Sequence, residues 1–87
     1  MKVKPEHLEQ LRKGVERALS EQPGALQSYL DAGLTVMRFR WDALWYAVRR
    51  GYVEIDGETR NPIGVLYRYG CNDSHVDTAL RRITGTT

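Results

Sequence analysis

The amino-acid sequence predicts a mainly α domain, at the margin of α+β: a compact bundle of four to five helices with one short β-hairpin. Three observations lead there. Apolar residues recur at intervals of three and four in several separate stretches, as helices that bury one side require. Pro and Gly punctuate the chain between those stretches, and one Asp-Gly pair is flanked by residues that alternate at period two. At 87 residues, with 41% hydrophobic and 28% charged side chains, residues 1–87 suffice for a single small globular domain and leave nothing for a second.

The first element is a helix from Pro5 to about Ser20, with Pro at the first helical position, Glu6 and Glu9 near the positive end, and Leu8, Leu11, Val15, Ala18 and Leu19 on one face. Gln22-Pro23-Gly24 ends it. A short second helix runs from Ala25 to Leu30 or Ala32, with Gly33 as its stop. Thr35 caps the third and strongest helix, Val36 to Arg50. Met37, Trp41, Leu44 and Val48 fall within one sector of about 60°, with Trp45 at its edge, and this sector is the expected core face. Phe39 and Tyr46 lie on the opposite side, so the helix is either covered on both sides or carries a partner-binding face.

Tyr52-Val53-Glu54-Ile55, the turn Asp56-Gly57 and the return limb Glu58-Thr59-Arg60 read as the hairpin. Asn61-Pro62 opens a helix over residues 62–69, for which a strand over Ile63 to Tyr67 is the competing reading. Asn72 or Asp73 caps a last helix from about Ser74 to Ile83, with Val76, Leu80 and Ile83 at spacings of four and three. Residues 84–87 read as a flexible tail. The first, third and last helices are expected to share the core.

A balance of 13 Lys+Arg against 11 Asp+Glu gives a net charge of +2, which implies no obligate polyanion partner. The single cysteine, Cys71, rules out an internal disulfide and suits a cytoplasmic location. No signal peptide and no membrane span are expected from the apolar runs. The core available at this length is small, and a homodimer is one way to bury more surface.

Cys71, His75 and Asp77 around a helix start form a nucleophile-like triple, and Cys71, His75 and His7 form an incomplete zinc set. The simpler reading makes Asn72-Asp73 a helix cap and Cys71 a packing residue. No catalytic residue, metal ligand or cofactor is therefore expected, and the protein reads as a non-enzyme. Arg38, Arg40, Arg49 and Arg50 face only Asp42 on the third helix. The candidate binding residues are Arg38, Phe39, Tyr46, Arg49 and Arg50, because arginine and aromatic side chains concentrate binding energy at protein interfaces. The alternative is helix-turn-helix DNA binding through residues 62–83, with Ser74, His75, Thr78, Arg81 and Arg82 toward nucleic acid, although Asp73 and Asp77 would there confront phosphate.

The stretches Met37-Arg38-Phe39-Arg40-Trp41-Asp42 and Asn72-Asp73-Ser74-His75-Val76-Asp77-Thr78-Ala79-Leu80-Arg81 resemble motifs in small accessory proteins of tailed phages and prophages. The resemblance implies a phage-encoded accessory product and brings no activity, ligand or catalytic residue with it. One physical reading makes both stretches structural: Trp41 packs in the core, while Arg38 with Asp42, or Asp77 with Arg81, ties the long helix to the last one. The function expected from the sequence is binding of a host or phage protein inside the host cell, without catalysis. DNA binding comes second, and an oligomeric structural or assembly role third.

Overall fold

Five helices form in the computed structural model, which describes residues 3–87: α1 (Pro5–Ser20), α2 (Ala25–Asp31), α3 (Val36–Arg49), α4 (Pro62–Arg68) and α5 (Asp73–Thr84). Met1 and Lys2, which belong to the stretch where no signal peptide is expected, lie outside the described residues. Helices α1, α3 and α5 pack on one another, and α2 lies against α3. Their shared core is Leu11, Val15 and Ala18 of α1, Ala43, Leu44 and Ala47 of α3, and Val76, Ala79 and Leu80 of α5. Val53 and Ile55 from the α3–α4 segment, and Ile63, Val65 and Leu66 of α4, complete it.

The helix starts follow local chemistry. The Thr35 hydroxyl accepts the Arg38 N–H at 3.1 Å, and Asn61 accepts the Gly64 N–H at 3.2 Å. Asn72, not Asp73, caps α5: its side chain accepts the His75 N–H, and His75 Nδ1 accepts the Asn72 N–H in return, both at 3.1 Å. Residues 62–68 are helical, which decides against the strand reading.

Four expectations need correction. The core face of α3 is rotated by about a quarter turn from the one read off hydrophobicity: Arg40, Ala43, Leu44 and Ala47 point inward, while Met37 is 58% and Trp45 40% exposed and Trp41 and Val48 are half-buried. Small alanines mark the side where a neighbouring helix approaches closely, so the bulky residues turn to the flank. Of the two readings of the Phe39 side, the covered one holds and the binding face does not: Phe39 is buried, because α2 lies over it and the Tyr29 ring meets Phe39 edge-on at 5.8 Å between centroids.

The hairpin is reduced to its turn. Asp56 and Gly57 both have positive φ (52° and 85°), as a type I′ turn requires, and Ile55 pairs with Glu58 in a single bridge. No strand extends from it among the described residues, since the Tyr52 N–H is taken by Ala47 O and the Arg60 N–H by the Glu58 side chain, with α4 starting at once. The last correction concerns residues 84–87. Thr84 belongs to α5, Gly85 turns left-handed at its end, and Thr86 returns its N–H to Arg81 O while its hydroxyl accepts from Arg40 Nη1 at 3.1 Å.

Gly14 sits mid-helix in α1, where alanine would ordinarily be the better helix former by ~1 kcal/mol. Here a Cβ would stand 2.6 Å from Val53 Cγ2 and 2.7 Å from the Tyr52 carbonyl oxygen. The segment that follows α3 crosses α1 at that point. Gly14→Ala is accordingly expected to destabilise the fold by ~1–3 kcal/mol through overpacking. Urea unfolding checks this, and a stabilised variant would show that the crossing is looser than described.

Candidate interaction surface on the third helix

Asp77 of α5 is the polar centre of the molecule. It accepts from Arg40 Nε at 3.1 Å and Nη2 at 3.3 Å, from Trp41 Nε1 at 3.1 Å, and from Arg81 Nε at 3.0 Å. Arg40 is only 3% exposed, so its charge depends on this carboxylate. Burial pushes the Asp77 carboxyl upward, but the hydrogen bonds from Arg40 and Arg81 outweigh it and hold the pKa below the ordinary value. The tie between α3 and α5 therefore runs through Arg40, Trp41 and Asp77. Arg38–Asp42 (3.6 Å) and Asp77–Arg81 are pairs within their own helices.

Fixing the Trp41 indole in this way shapes the outer face of α3. Met37, Trp41, Trp45 and Arg49 follow one another at intervals of four residues, so they form one ridge along the helix. Met37, Trp45 and Arg49 are exposed. Beside the Met37 end, α5 contributes Asp73, Ser74 and Asp77 to a groove of about 330 Å³ that Met37 and Trp41 complete. A shallower hollow of about 500 Å³, lined by Tyr67, Cys71, Asn72, Asp73 and Ser74, adjoins it through Asp73 and Ser74. The Tyr67 hydroxyl donates to Asp73 Oδ1, and its pKa is pushed up to about 12, first by burial and then by that carboxylate. It remains a donor at ordinary pH.

Of the residues singled out from sequence, Arg38, Arg49 and Arg50 are exposed, with Arg50 lying over the half-buried Tyr46 ring at 4.6 Å. Phe39 is separated from them in the α2 contact. The five do not make one surface. Ser74, Thr78, Arg81 and Arg82 are exposed along α5, but Arg81 is bound to Asp77 and His75 is occupied in the cap. Cys71 is buried. Among the described residues, no group of three or more His, Cys, Asp and Glu side chains is arranged to hold a metal ion, and no helix is long and apolar enough to cross a membrane. No family model, curated protein or solved structure matches the chain.

Two buried polar side chains escaped the sequence reading. His7 is 2% exposed and its Nε2 lies 3.2 Å from Asp56 Oδ2, which also accepts from the Tyr69 hydroxyl at 2.9 Å, while the His7 and Tyr69 rings sit 4.9 Å apart. This cluster pins the start of α1 to the Asp56-Gly57 turn. The Tyr69 bond first, and then His7, lower the Asp56 pKa. Arg40 is the second. The outer ridge was missed for the same reason as Arg40: assigning Met37 and Trp41 to the core leaves no room for either observation.

Proposed function

We propose that the protein works without catalysis, as a binding module that presents the outer ridge of α3 to another protein. The supporting observation is that Met37 and Trp45 are exposed on one face of α3, and that the half-buried Trp41 between them is held in a fixed orientation by Asp77 of α5. Tryptophan, methionine and arginine are the side chains enriched where protein interfaces concentrate their binding energy. A pre-oriented ring loses little rotational freedom on binding. A phage-encoded accessory role remains part of the proposal, on the two stretches that resemble phage proteins; their Arg40, Trp41 and Asp77 meet in the ridge's support.

Photo-crosslinking in cells tests this reading. A photo-activatable phenylalanine placed at Trp45 is expected to give protein adducts in several-fold higher yield than one placed at Arg82 on the exposed side of α5. Equal yields from the two positions, or nucleic-acid adducts from position 82 alone, would overturn it and favour DNA binding through α5.

A further inference from the structure

We infer that the partner seated on the outer ridge of α3 is a second copy of this chain, an inference that rests on the protein-binding reading above and names its occupant. The ridge is self-complementary. Met37, Trp41, Trp45 and Arg49 are evenly spaced over about 18 Å of helix, and a two-fold axis passing between Trp41 and Trp45 reverses their order. Antiparallel pairing about that axis sets Trp41 against Trp45 of the partner subunit, and Met37 against Arg49 of the partner subunit. Ridges of four-residue spacing pack side by side when the two helices cross at about 50°.

Charge selects the same arrangement. The Met37 end of the ridge borders Asp73 in the groove with Ser74 and Asp77, whereas Arg49 at the far end forms no ion pair among the described residues. Asp77 is saturated by Arg40, Trp41 and Arg81, while Tyr67 engages only Oδ1 of Asp73, so Asp73 is the carboxylate that receives an incoming guanidinium. The antiparallel pair makes this contact twice. A parallel pair would place the Arg49 ends together and repel. One ridge offers four side chains where a stable interface uses ~20–30 residues a side, so the dimer is weak and concentration-dependent.

Sedimentation equilibrium of the full chain from ~10 µM to ~1 mM is expected to show the mass rising from one chain to two. Trp45→Ala, Arg49→Glu and Asp73→Lys, all at exposed positions, should each weaken dimerisation about tenfold or more while preserving the circular dichroism spectrum. The Arg49→Glu and Asp73→Lys chains mixed in equal amounts should associate again, because both inter-chain contacts become attractive in the mixed pair and neither does in the separate variants. A single-chain mass up to ~1 mM, a dimer indifferent to Trp45→Ala, or a mixture no tighter than its components would each overturn the inference. Single-chain mass together with crosslinks from position 45 to a different protein removes the second copy as occupant and leaves the protein-binding reading standing. Loss of both removes the reading as well.

Discussion

Asp77→Ala is expected to lower the unfolding free energy by about 3–5 kcal/mol, the range for removing one partner of a buried ion pair. The variant strands Arg40, which is 3% exposed, and removes the acceptor of the Trp41 indole N–H. Replacing the pair together, Arg40→Met with Asp77→Leu, should recover most of the loss, because the buried charge is gone along with its counter-charge. Acid unfolding carries the same signature. The folded-state pKa of Asp77 is lowered, so its contribution is fully present above about pH 4 and is lost as pH falls through that depressed value. Chemical denaturation of parent and variant at a series of pH values measures both effects. An Asp77→Ala protein as stable as the parent, with the same acid sensitivity, would show that the Asp77 tie contributes nothing to the fold.

Phe39→Ala is expected to cost about 3 kcal/mol, the lower end of the range for truncating a core phenylalanine. The ring is 6% exposed and stacks edge-on with Tyr29, yet it also borders a groove of about 220 Å³ between Leu19, Leu26 and Thr84 into which neighbours can relax. For a domain of this size the melting temperature should fall by more than ~10 °C. A variant melting within a few degrees of the parent would return Phe39 to the surface and restore the face read from the sequence. Trp45→Ala, at a 40% exposed position, should leave the melting temperature nearly unchanged, so the pair of variants separates core from surface on one helix.

Helix positions were legible because their signals are local. Pro5 and Pro62 at first turns, with Thr35, Asn61 and Asn72 as caps, act within a few residues of where they stand. The Asp56-Gly57 turn was legible on the same ground. The facing of α3 was not, because hydrophobicity ranks tryptophan and methionine above alanine, whereas close packing in the core selects Ala43 and Ala47 for the buried side. The buried polar residues were hidden by distance along the chain: His7 meets Asp56 across 49 residues and Arg40 meets Asp77 across 37. An arginine flanked by two aromatics reads as surface until its distant carboxylate is known. The ridge became visible only when Met37 and Trp45 proved exposed on either side of the half-buried Trp41.

The unequal fates of the two tryptophans give the molecule a pair of intrinsic optical probes. Trp41, half-buried with its N–H held by Asp77, reports on whether α3 and α5 remain joined, so its emission should follow unfolding. Trp45, open to water four residues on, reports on what covers the helix from outside, and its emission maximum and accessibility to a collisional quencher should respond to occupancy while the fold stays intact. Folding and occupancy can thus be followed in one unlabelled sample, with Trp45→Phe and Trp41→Phe separating the two signals.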